Sequence, residues 1–254
     1  MKKIILFKLL LLFSPVQSFG NDNETIIKFL AREINECIGC DFSNMSLKHV
    51  DLSYANMSGS IFDNTNFHRA NLQGANFSNS QLNKVNLNKT NLIKANFENA
   101  KISNTMFYDA NLSKASLKGA VLDKIRSQKA TYTGSNLENV TIKNSFFNDA
   151  QIASANISFS HFSFTDFTDA NFQKSDFSNS KSYRTIFTRA NFNKSNLSKA
   201  ELIQTDFYKA QIKEAILKKT FFQSSNLLSV NFFKTDTSDI IYENCILPSG
   251  KLIE

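Results

Sequence analysis

Three cysteines are the residues of this chain best suited to redox or metal chemistry. Cys37 and Cys40 enclose Ile38 and Gly39 in a C-x-x-C spacing. A redox-active thiol is favoured at a helix amino terminus, where the helix dipole lowers its pKa, but this pair follows the carboxyl end of a predicted helix. A structural zinc site would need a second pair of ligands, which the sequence lacks. The remaining cysteine, Cys245, belongs to a five-residue sequence repeat and falls at the position of that repeat where small, buried residues are expected.

Three histidines, His49, His68 and His161, are the other groups that could bind a metal or transfer a proton. All three fall at outward positions of the repeat, so we expect solvated side chains, with a weak metal site between His49 and His68 as the alternative. No nucleophile, base and orienting acid share a recognisable motif, and the seven glycines form no phosphate-binding loop. The sequence therefore predicts that the protein is not an enzyme and uses no cofactor or metal.

These residues must be positioned by a five-residue repeat. If residue 42 and every fifth residue after it are called position i, the frame runs from residue 40 to residue 249 through 42 quintets without a gap. Position i is apolar or aromatic in 39 of the 42, and position i−2 is Ala, Ser, Thr, Val or Cys in 39. The three exceptions at position i, which we call the polar centres, are Ser127, Ser182 and Thr237. At these quintets we expect a bulge or a weakened layer.

The pattern excludes a continuous strand. Residues i−2 and i share one face of an extended segment. If the strand continued, i+2 would also point inward and the residue after it outward. The sequence has the reverse, because i+2 is polar and the residue after it is small. The chain must turn within every quintet, always with the large residue inside. Such a path winds into a solenoid whose coils stack at about 4.8 Å.

The units ANLQG at 70–74 and ANFNK at 190–194 resemble the A-(D/N)-L-x-x consensus of the pentapeptide-repeat family. The resemblance implies an all-β fold, a right-handed quadrilateral parallel β-helix with four quintets per coil and about 10.5 coils over residues 40–249. Exported members of that family have a similar C-x-x-C entry, which implies a structural disulfide between Cys37 and Cys40 that ties a capping helix to the first coil. Free thiols, or a catalytic or metal role, are the alternatives.

The ends of the solenoid need protection, because an open coil exposes core and strand edges. Residues 21–39 are predicted to form an amino-terminal capping helix, with apolar residues at helical spacing: Ile26, Ile27, Leu30 and Ile34. Residues 250–254 are a short tail. The last coil is predicted to be closed by this tail or by a second copy of the protein, which would give a homodimer through the C-terminal coil.

Residues 1–20 have the layout of a secretory signal peptide: lysines, an apolar run, Pro15 and small residues near a cleavage point. The run is shorter than the roughly 20 residues of a transmembrane helix, so we expect export to the periplasm or the extracellular space and no transmembrane segment. Removal of this segment leaves 26 basic and 22 acidic residues, a net charge of +4. This modest charge argues against a nucleic-acid partner.

Four quintets per coil allow surface stripes to be assigned, with the first face beginning at residue 40. The third face carries five lysines at i+2, a candidate docking strip for an acidic partner or anionic surface: Lys94, Lys114, Lys174, Lys194 and Lys234. On the second face, aspartates interleave with the basic residues. Outward aromatic residues on the first face form a second candidate contact patch: Phe164, Tyr183 and Phe221.

The sequence favours a non-catalytic, rigid, exported scaffold that binds an unidentified protein partner or an anionic surface. A secreted bacterial effector that acts on a host protein is the alternative. Some cytoplasmic members of the family imitate DNA and interact with gyrase. That activity requires an acidic surface, so it is the less favoured hypothesis.

Overall fold

The computed structural model describes residues 21–254, so the predicted signal peptide at 1–20 lies outside the described residues. Helix α1 spans Asn21–Leu30. Twelve short strands follow, of which ten recur every twenty residues: β1 Ile61–Asp63, β2 Gln81–Asn83, β3 Lys101–Ser103, β4 Val121–Asp123, β5 Thr141–Lys143, β6 His161–Ser163, β7 Lys181–Tyr183, β8 Glu201–Ile203, β9 Phe221–Gln223 and β10 Ile241–Glu243. The last two are β11 Cys245–Ile246 and β12 Leu252–Ile253. None of the described helices is long and apolar enough to cross a membrane.

Strand pairing confirms the predicted right-handed quadrilateral parallel β-helix. Strands β1 to β10 form one parallel sheet in sequence order, and each residue pairs with the residue twenty positions later, as Phe62 does with Leu82. Single parallel bridges with the same spacing join the coils on the other faces, as between Asn71 and Asn91. Twenty residues, or four quintets, therefore make one coil.

The turns that close each quintet place residue i+2 in the left-handed backbone region. With the exception of Asp239 and Ser249, non-glycine residues at this position have φ between 48° at Arg184 and 62° at Lys194. Turn bonds such as the one from the Ala70 N–H to the Phe67 carbonyl, 2.9 Å, close the corner. Glycine and asparagine adopt this region most readily, and β-branched residues avoid it. No Val, Ile, Thr or Pro stands at i+2 in any of the 42 quintets, a signal that the sequence analysis missed.

A substitution at a corner should therefore test this backbone conformation. Lys199 has φ +59°, and we expect Lys199→Val to be less stable than Lys199→Gly by about 1 kcal/mol, because the branched Cβ crowds the left-handed backbone. Urea unfolding of the two variants measures the difference. Equal stability of the Val and Gly variants would contradict the assigned corner geometry.

The interior is a column of fully buried aromatic and aliphatic side chains. Rings in successive coils stack, as Phe172 and Phe192 do with centroids 4.6 Å apart and planes 9° apart, and rings on adjacent faces meet edge to face, as Phe172 and Phe167 do at 5.2 Å. Alanine, serine and threonine at i−2 are buried beside the rings. This arrangement agrees with the large and small residues expected at i and i−2.

The predicted bulges at the polar centres Ser127 and Ser182 are absent. Ser182 pairs in register with Phe162 on one side and Leu202 on the other, and Ser127 forms a 2.6 Å hydrogen bond with the Tyr132 hydroxyl in the core. The next quintet thus supplies a polar partner for Ser127. Ser182 Oγ is buried and has no hydrogen-bond partner among residues 21–254.

Ser182→Ala should consequently raise the free energy of unfolding by about 1 kcal/mol, because a buried hydroxyl without a partner is costly to keep from water. Ser180 is a matched control in the same coil, since its hydroxyl donates to the Phe177 carbonyl at 2.7 Å. Ser180→Ala should be destabilising by a similar amount. Chemical denaturation of both variants decides the point, and a destabilised Ser182→Ala would show that the hydroxyl is satisfied.

The amino-terminal helix differs from the prediction in length. It ends at Leu30 rather than near residue 38, because Arg32 adopts φ +60° and the chain closes with bonds from Arg32 N–H to the Phe29 carbonyl and from Glu33 N–H to the Lys28 carbonyl. Ile34 is consequently exposed instead of lying on the apolar helix face. Phe29 caps the core, with its ring 5.7 Å from Phe42.

The solenoid begins one quintet earlier than predicted, and its carboxyl-terminal coil is covered only in part. Glu36 already bridges to Asn56, so residues 35–39 belong to the first coil rather than to the cap. At the other end, β12 folds back antiparallel onto β11, and the Leu247 N–H donates to the Lys251 carbonyl at 2.8 Å. The tail therefore closes part of the last coil, as one of the two alternatives predicted.

Candidate interaction surfaces

Each quintet turns the side chains at i−1, i+1 and i+2 away from the core. The chain is held flat between corners by coil-to-coil bonds such as Leu72 N–H to the Asn91 carbonyl, 2.8 Å. Outward side chains in equivalent positions thus form straight columns at about 4.8 Å intervals. Hydrogen-bonded polar ladders fill several columns, as where the Asn91 amide donates to Asn71 at 2.9 Å. Functional contacts must come from columns that depart from this polar pattern.

The five predicted lysines of the third face are exposed but do not form a continuous strip. Gly134 and Ser154 occupy the two corners between Lys114 and Lys174. Lys194 is 3.6 Å from the carboxylate of Glu214, and the Lys234 ammonium lies over the Phe233 ring at 5.4 Å. The column therefore consists of two lysine pairs and one separate lysine, with part of the charge balanced.

Of the three predicted aromatic residues, Phe164 and Tyr183 lie together and Phe221 does not. The rings of Phe164 and Tyr183 meet edge to face with centroids 5.6 Å apart. The Arg184 guanidinium lies over both rings, at 5.8 Å from Phe164 and 5.3 Å from Tyr183. Phe221 pairs instead with Glu201 and Ile241 in the sheet, nearer the carboxyl end of the solenoid.

Two further apolar residues extend the Phe164–Tyr183 pair around the corner onto the second face. Phe146 and Ile186 lie on either side of Asp166 in one bridge column, and Asp166 follows Phe164 by two residues. We call the four residues the aromatic patch: Phe146, Phe164, Tyr183 and Ile186, whose exposed fractions are 47%, 51%, 38% and 40%. Phe146 and Ile186 stand at i−1, where half of the quintets have Asn or Asp, and this exception could have been noticed in the sequence.

Asp166 stands on the second face between Phe146 and Ile186, and its carboxylate bonds to residues of that face. Its oxygens accept bonds from the Thr168 backbone N–H at 2.8 Å and from the Asn148 amide at 2.8 Å. Arg184 is also held, because its Nε donates to Gln204 at 2.7 Å. The patch is thus an apolar surface with one fixed cation at its edge, suited to a partner with apolar side chains and a carboxylate.

The histidines occupy the outward positions that were predicted. The rings of His49 and His68 lie in neighbouring coils with centroids 6.3 Å apart, while His161 stands on the first face in register with Lys181. Partial burial, and then the positive charges of Arg69, His49, Lys89 and Lys48, lower the pKa of His68. Over residues 21–254, no three His, Cys, Asp or Glu side chains form a group that could hold a metal.

Cys37 and Cys40 are joined as a disulfide. Cys37 is buried at the centre of the 35–39 quintet, and Gly39 at its corner has φ +69°. Both cysteines therefore lie in the first coil, and the bond closes a turn of that coil rather than tying helix α1 to it. Cys245 is a buried free thiol, in keeping with its small-residue position.

The coil geometry and the polar outward columns define a repeat solenoid with side surfaces available for contact. Family profiles described as a pentapeptide repeat region and as pentapeptide repeats match residues 58–127 and residues 37–64, 147–181 and 185–223. The chain belongs to the pentapeptide-repeat family.

Among solved structures, the chain is similar to HetL of the cyanobacterium Nostoc sp. strain PCC 7120, a pentapeptide-repeat protein involved in the regulation of heterocyst differentiation. The identity is 22%, the match covers 90% of this chain and 98% of HetL, and the TM-score is 0.54. QnrB1, a plasmid-mediated fluoroquinolone resistance protein, matches at 12% identity over 82% of this chain and 94% of QnrB1, with a TM-score of 0.40. No curated protein matches the sequence. These likenesses show the fold alone.

Proposed function

We propose that this protein is an exported, non-catalytic scaffold that binds another protein through the aromatic patch. The observation that carries the proposal is the patch itself: four exposed apolar side chains grouped in consecutive coils at one corner of the solenoid. Large exposed apolar groups are costly in water and mark contact sites when they cluster. The rigid wall beneath them needs no rearrangement on binding.

Export rests on the layout of residues 1–20 and agrees with the Cys37–Cys40 disulfide, because disulfides persist in oxidising compartments. Cell fractionation with mass spectrometry of the mature amino terminus tests it. The expected result is a chain that begins near residue 21 in the periplasm or the medium. An intact amino terminus in the cytoplasm would contradict export.

The partner is tested by affinity capture with a variant of the aromatic patch, Phe146→Ser combined with Phe164→Ser and Tyr183→Ser. These side chains point outward, so folding is retained. The matched control, Lys94→Ser combined with Lys114→Ser and Lys174→Ser, changes three outward residues of the third face. A protein captured from envelope extract by the wild type and the control, and lost with the patch variant, supports the proposal. Equal capture by all three baits would contradict it.

The same baits distinguish a scaffold that binds an envelope protein from the alternative, a secreted effector that acts on a host protein. In that case the patch-dependent protein comes from host-cell extract and not from bacterial envelope. The gyrase interaction of DNA mimics is the least supported reading, because residues 21–254 contain more basic than acidic side chains.

A homodimer through the C-terminal coil is the second part of the proposal. Strand β10 pairs with β9 on one edge only, and three apolar side chains near it are at least half exposed: Phe233, Ile241 and Leu252. A second copy would cover this edge. Analytical ultracentrifugation should show a dimer that Ile241→Lys converts to a monomer, and a wild-type monomer at high concentration would exclude it.

A further inference from the structure

The first coils of the second face carry a concentration of basic groups that the proposed function does not use. We call it the histidine cluster, and its members are Lys48, His49, His68, Arg69 and Lys89. They occupy i+1 and i+2 of three successive coils, and all except the half-buried His68 are exposed. No acidic residue occurs in the three segments that form this part of the wall, residues 44–49, 64–69 and 84–89.

The backbone holds these side chains in a plane. His49 N–H donates to the His68 carbonyl at 3.1 Å, Arg69 N–H donates to the Asn88 carbonyl at 3.1 Å, and the coils repeat at about 4.8 Å. Ion pairs that involve lysine or arginine occur elsewhere in the described residues, but none is formed by a member of the cluster. The result is a flat, basic surface without internal neutralisation.

The neighbouring groups add little negative charge. The adjoining corner of the first face contributes Asn44, Asn64 and Lys84, and Asp63 beside it accepts a hydrogen bond from the Asn83 amide at 2.7 Å. On the third face, Asp51 is held by the Ser53 backbone N–H at 2.9 Å and by the Asn71 amide at 3.1 Å. Near the capping helix, Glu24 pairs with Lys28, and Arg32 and Glu33 follow. Asp109, in the next coil, ends the cluster.

We propose that the histidine cluster docks on an anionic membrane surface and that docking strengthens as the pH falls toward 5.5. A flat wall brings all five groups to a planar layer of phosphate headgroups at once, and each added cation near such a surface strengthens binding about fivefold. Tyr108 stands at the edge of the cluster and is 40% exposed, and tyrosine is enriched at membrane–water interfaces.

The pH dependence follows from the position of the two imidazoles. Partial burial, and then repulsion from Arg69, His49, Lys89 and Lys48, oppose protonation of His68 in the free protein. A layer of phosphates next to the cluster offsets the repulsion. Membrane binding and proton uptake are therefore coupled, so each favours the other. Lys48, Arg69 and Lys89 supply the attraction that remains at pH 7.5.

The test is flotation of the mature chain with vesicles of phosphatidylcholine alone or with 30% phosphatidylglycerol, at pH 7.5 and pH 5.5. We expect binding to the anionic vesicles only, at least about fivefold stronger at pH 5.5 and weakened by salt. His49→Gln combined with His68→Gln should keep the binding at pH 7.5 and lose the increase. Lys48→Gln combined with Arg69→Gln and Lys89→Gln should lose binding at both values.

The control variant Lys174→Gln/Lys194→Gln/Lys234→Gln removes the same charge from the third face and should bind as the wild type does. Loss of binding in this control, or an unchanged pH effect in the histidine variant, would overturn the proposal. So would pH-dependent binding of soluble polyphosphate without binding to vesicles, because that result assigns the cluster to a soluble polyanion.

Discussion

Phe172→Ala is expected to lower the free energy of unfolding by about 3–5 kcal/mol, the range for removal of a buried phenylalanine ring. The Phe172 ring is fully buried and contacts its neighbours in and between coils, with centroids 4.6 Å from Phe192, 5.2 Å from Phe167 and 5.9 Å from Phe177. Alanine would leave a cavity in the middle of this stack. Rigid coils above and below limit how far the site can collapse, so the loss should lie in the upper part of the range.

Because each coil contacts only its neighbours, the damage should also be local. Hydrogen exchange followed by mass spectrometry should show loss of protection first over residues 160–200 in the variant. Phe232 provides the control, since it lies in the last coil and is only partly buried. Phe232→Ala should cost less than half as much, and an equal loss at both positions would show that the central stack is not the main source of stability.

Much of the fold could be predicted from the sequence, because a repeated pattern reports the same local environment many times. The large residue at i and the small residue at i−2 identified the inward direction, and the twenty-residue register of Phe62 with Leu82 agrees with the coil that the family resemblance implies. The helix end could not be predicted in the same way. Arg32 adopts a left-handed conformation without the glycine that usually marks a helix end.

The candidate contact surfaces were less predictable than the fold. Phe164 and Tyr183 could be placed on one face, but Phe146 and Ile186 belong to a bridge column on the neighbouring face, beyond the corner. Likewise, charge balance in the lysine column depends on the side-chain conformation that brings Lys194 to Glu214. Columns follow from the repeat, whereas contacts across columns depend on rotamers that no five-residue pattern specifies.

Ser127→Ala and Tyr132→Phe should each destabilise the protein by about 1–3 kcal/mol, because each leaves one buried hydroxyl without its partner. The two groups share a 2.6 Å hydrogen bond, and both are buried within the core. The double variant removes both hydroxyls and should be closer to the wild type than the sum of the single changes. Urea unfolding of the four proteins gives the coupling energy, and simple additivity would show that the bond has no net effect.

The same pair predicts a loss of stability in alkali. Burial raises the pKa of the Tyr132 phenol well above its ordinary value, while the hydrogen bond with Ser127 acts in the opposite direction and is weaker. Below pH 10 both the folded and the unfolded states keep the proton. Above pH 10 the unfolded state loses it first, so the free energy of unfolding should fall by about 1.4 kcal/mol per pH unit from this residue.

Tyr132→Phe separates this effect from other alkaline titrations. Burial also raises the pKa of Tyr242 to about 12, and that contribution is common to the wild type and the variant. The difference between their unfolding free energies should therefore change by about 1.4 kcal/mol from pH 9 to pH 11 in favour of the variant. Parallel pH curves for the two proteins would mean that the Tyr132 hydroxyl is reached by water, and the aromatic column would then be open at the Ser127 layer.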